Sequence, residues 1–355
     1  MFSSEKQLRL ILKEISCIAS VQNKLTGFCI GNTRKLNNAE LYFSPIRNTR
    51  QLVAGSVIVY SAEQAATIAQ QIDGKVDYVL IDTEKKISST FGDQCFENPE
   101  RWIREVVHHS KVLTYKGNDL TVDSIESLIV QILSSYPRGL SGKKAAIIGA
   151  GNIGSKLALK LVERGMNVTI SRRDKEKLDA IVSAINIIKP FETIAKVFGS
   201  QDLLEAAIGV DLLVGLTGGQ AMITAAMVEV VAPGAVLIDG GKGCFQKEAI
   251  ALAESKDIPI YRADIRAGFE GHVATALEME RIVQNTIGRN KISGVNVVSG
   301  GLLGRSNEVV VDNLNDPQTI FGIADGLGDF IRNLDVEQKN MVQTIQNYIT
   351  SRRKT

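Results

Sequence analysis

Apolar residues along the first 115 positions follow helical and strand spacing in turn. The predicted elements are a helix over residues 5–20, strands at Gly27–Ile30 and Glu40–Phe43, a strand at Ser56–Tyr60, a helix over Ala62–Ile72, a strand at Val76–Ile81, a helix from Asn98-Pro99 to His109 and a strand at Lys111–Tyr115. Strand, helix and strand over residues 56–81 form a plausible βαβ unit. The pattern therefore predicts a small α/β domain at the N-terminus.

The middle of the chain repeats the alternation of strand and helix with longer buried strands. Lys144–Gly154 indicates a strand and a glycine turn, followed by a helix over Ser155–Arg164 and a strand at Asn167–Ile170. Later strands are predicted at Leu212–Gly215, Ala235–Ile238, Ile258–Tyr261 and Gly294–Val298. Alternating strands and helices predict a Rossmann-type, doubly wound parallel sheet, with the smaller N-terminal α/β domain beside it.

The domain boundaries follow from these patterns. Residues 1–120 are predicted to form a substrate-binding and catalytic α/β domain, joined by C-terminal helices over 305–355, one of them starting at Asp316-Pro317. Residues 121–304 are predicted to form the Rossmann domain. A length of 355 residues fits two domains.

Composition narrows the class of protein. Lys plus Arg number 41 against 39 Asp plus Glu, so the charge is nearly balanced and nucleic-acid binding is not expected. The N-terminus lacks the unbroken apolar stretch of a signal peptide, and no apolar run is long enough to predict a membrane span, which together with four scattered cysteines favours a cytoplasmic location. With three histidines and no ligand-like spacing, no metal site is expected.

The glycine turn indicates a dinucleotide site. Gly149, Gly151 and Gly154 have the G-x-G-x-x-G spacing after a strand and before a helix, and Asn152 and Ile153 complete the turn. The first glycine permits the tight turn, the second lets the pyrophosphate approach the backbone, and the third permits close helix packing.

The end of the next strand predicts which nicotinamide cofactor binds. Ser171, Arg172 and Arg173 stand where an NAD site usually presents an acidic residue, and paired guanidinium donors suit the 2′-phosphate of NADP. Asp174 follows, so NAD is the less favoured alternative. Loops containing Thr217 and Gly218, and Gly240 and Gly241, are predicted to wall the nicotinamide half of the site, although either can be a connecting turn.

Residues 116–239 resemble a group of NADP-dependent enzymes. The stretch is similar to the bifunctional methylenetetrahydrofolate dehydrogenases and to methylene-tetrahydromethanopterin dehydrogenase at Thr121, Ser141–Lys144, Asn152–Gly154, Val210–Val214 and Pro233–Asp239. Shikimate dehydrogenase and glutamyl-tRNA reductase share the general plan. The resemblance implies an NADP-binding domain and an interdomain substrate cleft.

The sequence also departs from that group. The folate enzymes carry a tyrosine and a lysine at the substrate end of the first domain, and no Tyr-x-x-x-Lys occurs here. Val298–Gly304 stands where those enzymes have a proline-rich strand end. The resemblance therefore supports the cofactor better than the one-carbon substrate.

Two clusters of ionisable residues are the catalytic candidates. Lys116 and Asp119 lie on a predicted loop at the cleft, where a lysine can protonate a carbonyl or imine, although a solvated turn charge and a helix cap are the simpler roles. Asp264, Arg266 and His272 follow a strand of the cofactor domain, and Gly268–His272 is predicted to be a loop leading into a helix. Histidine is the residue type suited to proton transfer at neutral pH, which makes His272 a candidate, and Arg266 can clamp a substrate carboxylate; a structural histidine and a surface ion pair are the alternatives.

The sequence thus predicts an NADP-dependent oxidoreductase acting on a C=O or C=N bond of a small polar substrate. A methylene-tetrahydropterin dehydrogenase, and a non-catalytic NADPH-sensing or partner-binding protein on a dehydrogenase scaffold, are the alternatives. A homo-oligomer, most simply a dimer, is expected by analogy with two-domain dehydrogenases.

Overall fold

A computed structural model of the chain describes residues 2–33, 41–84, 86–87, 98–135, 138–299 and 301–352. It divides into two compact units, Met1–His272 and Val273–Thr355. Two sheets belong to the first unit and one to the second.

The first sheet is built by the N-terminal residues. Its elements are α1 (Phe2–Gln22), β1 (Leu25–Asn32), β2 (Tyr42–Asn48), β3 (Leu52–Val59), α2 (Ala62–Ile72), β4 (Tyr78–Asp82), α3 (Pro99–Arg104) and β5 (Lys111–Tyr115). The strand order is β2-β3-β1-β4-β5, with β2 antiparallel to β3 and the other pairs parallel. The predicted βαβ unit is present as β3, α2 and β4. Its two strands are not neighbours in the sheet, because β1 lies between them. Glu40, where the second strand was predicted to begin, lies outside the described residues.

The second sheet is the Rossmann sheet. Its elements are α4 (Gly117–Ile132), β6 (Lys144–Ile148), α5 (Asn152–Glu163), β7 (Asn167–Ser171), α6 (Lys175–Ile188), β8 (Val197–Ser200), α7 (Leu203–Ala207), β9 (Leu212–Gly215), α8 (Ala225–Glu229), β10 (Val236–Asp239), α9 (Lys247–Ser255) and β11 (Ile260–Arg262). All neighbours are parallel in the order β11-β10-β9-β6-β7-β8. This is the doubly wound arrangement, and it confirms the predicted fold class.

Both faces of the Rossmann sheet are covered by apolar side chains. On one face, Ile125 and Ile129 of α4 and Leu157 and Leu161 of α5 pack against Ile147. On the other face, α7, α8 and α9 pack against Ala146 and Ile148. Because parallel strands are buried on both sides, they read in the sequence as continuous apolar runs, which is why they were predicted well.

The start of α4 differs from the prediction. The sequence predicts a loop over Lys116–Asp119 and a helix that begins with Thr121 as its cap. In the structure the helix begins at Gly117, and the Thr121 hydroxyl donates to the Gly117 carbonyl inside it. The caps come from the end of β4 instead. The Gly117 N–H donates to Asp82 Oδ1 (3.3 Å) and the Asn118 N–H to Glu84 Oε2 (2.9 Å), a long-range cap that local sequence does not reveal.

The second unit contains the third sheet. Helix α10 (Arg266–Asn285) begins in the first unit and is followed by β12 (Arg289–Ile292), β13 (Val295–Ser299), β14 (Val309–Val311), β15 (Ile320–Ile323) and α11 (Val336–Arg352). The strand order is β12-β13-β14-β15, and Ile345 and Ile349 of α11 are buried in its core.

Three predictions for the last third of the chain are wrong. The strand predicted at Gly294–Val298 is β13, which pairs with β12 and β14 outside the Rossmann sheet. The helix predicted from Asp316-Pro317 is a turn before β15, because the Asp312 carboxylate accepts hydrogen bonds from the Gln318 and Thr319 N–H groups. The Gly268–Gly271 loop predicted before His272 lies within α10.

Among the described residues, no helix is both long and apolar enough to cross a membrane.

Candidate functional site: a dinucleotide cavity and a second cavity beside it

The three glycines of the turn differ in what surrounds them. Gly149 has φ +115°, and a Cβ there would lie 2.3 Å from the Leu216 carbonyl oxygen. A Cβ on Gly154 would lie 2.1 Å from the Gly149 carbonyl oxygen. No atom lies within 4 Å of a Cβ built on Gly151. Two glycines are therefore required by the protein's own packing, and the third leaves open space over the turn.

Helix α5 begins at this open space without a side-chain cap. Gly151 is its N-cap, and the first helical hydrogen bond runs from the Ser155 N–H to the Gly151 carbonyl. Within the described part of the chain, no acceptor pairs with the N–H groups of Asn152, Ile153 and Gly154. Free N–H groups and the positive end of the helix dipole form a site for a phosphate group.

The end of β7 supplies the other side of the site. Ser171 is buried, and its carbonyl accepts hydrogen bonds from the N–H groups of Gly149 and Ala150. One Arg172 guanidinium nitrogen donates to the Ala150 carbonyl (2.8 Å), so this half-buried arginine also holds the glycine turn. The exposed Arg173 makes one long contact, 3.5 Å, to Gln220 Oε1.

Asp174, the residue that kept NAD as an alternative cofactor, caps a helix. Its carboxylate caps α6 by accepting a hydrogen bond from the Lys177 N–H (3.1 Å) and pairs with the Lys177 ammonium (3.2 Å). These two contacts with Lys177 hold the pKa of the carboxyl below its usual range. An occupied cap is a poorer partner for ribose hydroxyls than a free carboxylate.

These residues enclose a cavity of about 530 Å³ at the carboxyl ends of β6 and β7, here called the cofactor cavity. Gly149, Gly151, Ser171, Arg172, Arg173 and Thr217 line it. It lies at the switch point of the sheet, because β7 flanks β6 on one side and β9 on the other. A dinucleotide binds in this crevice in doubly wound sheets.

The two later glycine loops are arranged differently. The Thr217 hydroxyl donates to the Gln220 carbonyl, and Gly218 has φ +68° with open space around it. Gly240 and Gly241 both donate to the Gly215 carbonyl, and a Cβ on Gly241 would lie 2.6 Å from the sulfur of the buried Cys244. Thr217 lines the cofactor cavity, whereas Gly218, Gly240 and Gly241 do not. Their contact with the cofactor stays a prediction.

The structure does not bring the five predicted catalytic residues together. Lys116 is exposed and lies 3.8 Å from Asp119, whose carboxylate also pairs with Lys156. Asp264 accepts hydrogen bonds from the backbone and side chain of Arg266, which is 81% exposed. His272 Nε2 lies 2.9 Å from the Thr114 carbonyl. None of the five lines the cofactor cavity or the cavity described next, and their catalytic role stays a prediction.

A second cavity of about 220 Å³ was not anticipated from the sequence. It lies at the carboxyl ends of β1, β3, β4 and β5, closed by the first turns of α4 and α10, and is here called the N-terminal cavity. Its polar lining residues include Asn32, Arg47, Asp82, Lys86, Tyr115 and Asn118. Asp82 and Tyr115 end predicted strands, so the rule used for the glycine loops would have selected them. Arg47 follows a bulge in β2, and no local signal marks it.

One end of the N-terminal cavity carries a charge cluster of one lysine and two carboxylates. Lys86 Nζ lies 2.9 Å from Asp82 Oδ2 and 2.8 Å from Glu84 Oε2. Burial lowers the pKa of Lys86, but the two carboxylates outweigh it and hold the pKa above its usual value. Burial also raises the pKa of the nearby Tyr115, so its hydroxyl keeps its proton. This end therefore presents hydrogen-bond donors.

A direct hydrogen bond connects the N-terminal cavity to the start of α5. Asn118, which lines the N-terminal cavity, donates from Nδ2 to Asn152 Oδ1 (3.2 Å), the first residue of α5. The Lys156 ammonium of α5 also pairs with Asp119 of α4. The N-terminal cavity is therefore held next to the turn predicted to bind the pyrophosphate.

Comparisons with known proteins agree with this geometry. Residues 144–276 match the family model of the NAD binding domain of 6-phosphogluconate dehydrogenase. No curated protein sequence matches the chain significantly.

Several solved structures are similar to the chain at low identity. Dipicolinate synthase A chain from Bacillus subtilis is 12% identical, with 73% of this chain and 97% of that one covered and a TM-score of 0.36. L-tryptophan dehydrogenase from Nostoc punctiforme is 12% identical, with 70% and 75% covered and a TM-score of 0.39. Ornithine carbamoyltransferase from Gloeobacter violaceus is 18% identical, with 77% and 93% covered and a TM-score of 0.38. These likenesses are too distant to indicate an activity or a substrate.

The strand order, the glycine turn and the family match define the class. Residues 144–276 match an NAD-binding domain of the dehydrogenase type, and the parallel sheet that they contain has the Rossmann order. This part of the chain is therefore of the type that binds a pyridine nucleotide in NAD(P)-dependent oxidoreductases.

Proposed function

We propose that this protein is an NADP-dependent oxidoreductase that transfers hydride to or from a C=O or C=N bond of a small polar substrate. The observation that carries the proposal is the cofactor cavity, where Gly151 leaves the turn open while Arg172 and Arg173 line the wall at the end of β7. Guanidinium groups bind phosphate oxygens with paired donors, which favours the 2′-phosphate of NADP over a bare ribose.

The occupied state of Asp174 supports the same cofactor. A site for NAD needs a carboxylate free to accept hydrogen bonds from the ribose hydroxyls. Here that carboxylate caps α6 and pairs with Lys177. Arg173 makes no short hydrogen bond with its side chain among the described residues, and its guanidinium is therefore available to a ligand.

The two arginines are expected to contribute differently, and this gives the test. Fluorescence titration with NADPH and NADH is measured for the wild type, Arg173→Ala and Arg172→Ala. We expect the wild type to prefer NADPH and Arg173→Ala to weaken NADPH alone by about 10-fold or more, the size of one lost charged hydrogen bond. Arg172→Ala should weaken both cofactors, because Arg172 also holds the Ala150 carbonyl of the turn.

The control removes the same charge elsewhere. Arg101 and Arg104 of α3 are exposed, pair with Glu105 and Glu100, and do not line the cavity. Arg101→Ala with Arg104→Ala should leave both affinities unchanged. Equal binding of NADPH and NADH by the wild type would contradict the NADP assignment, and no hydride transfer to any substrate despite tight NADPH binding would favour the NADPH-sensing alternative.

A methylene-tetrahydropterin dehydrogenase is the second candidate. One observation favours it: Lys86 and Tyr115 line the same cavity although the sequence lacks a Tyr-x-x-x-Lys motif. Reduction of NADP on adding methylene-tetrahydrofolate or methylene-tetrahydromethanopterin tests this candidate directly.

We also propose that the protein is a homodimer, by analogy with two-domain dehydrogenases. The mass of the protein in solution, measured by light scattering, would decide this.

A further inference from the structure

The N-terminal cavity has two chemically different ends. Arg47 follows the bulge in β2, and one guanidinium nitrogen donates to the Ser56 hydroxyl of β3 (2.8 Å). Lys86, Asp82 and Tyr115 lie at the ends of β4 and β5. Since β1 separates β3 from β4, the backbones that carry Ser56 and Asp82 are two strand spacings apart, about 10 Å.

The Arg47 end carries an uncompensated positive charge. No carboxylate among the described residues lies within ion-pair distance of Arg47, whereas Lys86 has two. The Arg47 Cζ atom lies 5.5 Å from the ring centroid of Phe269, which is 2% exposed, and this cation–π contact helps to hold the guanidinium. A half-buried guanidinium held on two sides, with most of its N–H groups free, is built to receive an anion.

From this arrangement we infer that the N-terminal cavity binds a small substrate through a carboxylate held by Arg47. The inference rests on the proposed function and names the substrate class of that enzyme. The substrate's carbonyl or imine then lies toward the Tyr115 and Lys86 end, where both groups keep their protons and Asn118 bonds to the cofactor turn.

Size and chemistry limit the ligand further. A cavity of about 220 Å³ is smaller than the 300 to 1,000 Å³ typical of drug-sized ligands, which favours a compact acid. Cys29 also lines this cavity, but burial raises the pKa of its thiol to about 12. A neutral thiol is a poor nucleophile, so the cavity is suited to non-covalent binding.

The test uses a matched pair of probes on the full chain. Oxamate carries one carboxylate and one amide, and oxamide is its neutral diamide of the same shape. Each is titrated by calorimetry into the NADPH-saturated protein. We expect oxamate to bind and oxamide not to bind, because only oxamate carries a negative charge that can pair with the Arg47 guanidinium.

Variants then locate the binding. Arg47→Met keeps the apolar stem against Phe269 and should weaken oxamate by about 10- to 100-fold, with NADPH affinity unchanged as evidence of an intact fold. Arg47→Lys keeps the charge but loses the paired donors, so its oxamate affinity should lie between that of the wild type and that of Arg47→Met. Arg104→Met is the control for lost charge.

The outcomes separate the two proposals. Oxamate affinity that is unchanged in Arg47→Met, or oxamide binding as well as oxamate, would overturn the carboxylate site while leaving the cofactor assignment intact. Failure of the wild type to bind NADPH would instead overturn the proposed function. If inorganic phosphate displaces oxamate and binds more tightly than it does, the site is a phosphate site and the carboxylate assignment is wrong.

Discussion

Alanine substitutions in the glycine turn separate the glycine that is predicted to face the cofactor from the glycine that packs against the protein. At Gly151 the backbone is extended, with φ −91° and ψ −164°, which alanine adopts readily, and nothing lies within 4 Å of the new methyl group. At Gly154 the new methyl group would lie 2.1 Å from the Gly149 carbonyl oxygen. Since ordinary contact begins near 3.4 Å, helix α5 must move by about 1 Å.

These contacts set opposite expectations for stability and binding. Overpacking of this kind costs about 1 to 3 kcal/mol, so Gly154→Ala should lower the melting temperature by about 5 °C in a unit of this size. Gly151→Ala should cost less than about 1 kcal/mol, the difference between N-cap residues. It should weaken NADPH by about 10-fold or more, equal to 1.4 kcal/mol, because the methyl group occupies the approach to the helix amides.

The assays are thermal unfolding without ligand and fluorescence titration with NADPH. Gly271→Ala is the control, since its methyl group also meets open space and lies within α10, where alanine stabilises a helix by about 0.5 to 1 kcal/mol. Gly151→Ala with wild-type NADPH affinity would refute the placement of the pyrophosphate over this turn. Gly154→Ala with an unchanged melting temperature would refute the packing argument.

Two further predictions concern charges outside the cavities. Asp73 accepts hydrogen bonds from the N–H groups of His108, His109 and Ser110; burial raises the pKa of this carboxyl, but these bonds outweigh it and hold the pKa well below the usual range. The stabilisation by the ionised Asp73 carboxylate is complete above about pH 4 and is lost as pH falls through the lower pKa of the folded state. Asp73→Asn should therefore lower the melting temperature at pH 7, and the difference from the wild type should shrink below pH 4. A difference that does not depend on pH would contradict this. Arg289 pairs with the buried Glu308 at 2.9 Å, and Arg289→Met should destabilise the second unit by about 3 kcal/mol because it leaves that carboxylate unpaired. Hydrogen exchange should rise in residues 289–352 with NADPH affinity unchanged, and equal loss of protection in both units would count against independent units.

The sequence predicted the Rossmann sheet well because each of its signals is local. Buried parallel strands such as β6 and β9 are short apolar runs, and the turn at Gly149 follows directly from its spacing. The second unit was predicted poorly for the opposite reason. Its β14–β15 pairing depends on the Asp312 carboxylate closing the loop through Gln318 and Thr319, and Asp316-Pro317 resembles a helix start when this contact is not known.

The N-terminal cavity could not be predicted because its residues come from four strands and two helices. Arg47 and Lys86 are 39 positions apart, and nothing in either local sequence indicates that they line one cavity. Lys116 was a catalytic candidate because it was predicted to lie on a loop at the cleft. The long-range cap by Asp82 and Glu84 instead makes that segment the first turn of α4 and places Asn118 at the cavity.

A glycine at the end of a strand therefore does not by itself indicate a ligand. Gly151 and Gly240 both follow strands of the same sheet, and spacing assigned both to the cofactor. A Cβ on Gly240 would lie 2.7 Å from the end of the Leu216 side chain and 3.0 Å from the end of the Ile125 side chain, so a larger residue there would displace both side-chain ends. In the folded chain the space over Gly151 is open, as the predicted pyrophosphate site requires, whereas Gly240 faces the Leu216 and Ile125 side chains, and contact of either glycine with the cofactor stays a prediction.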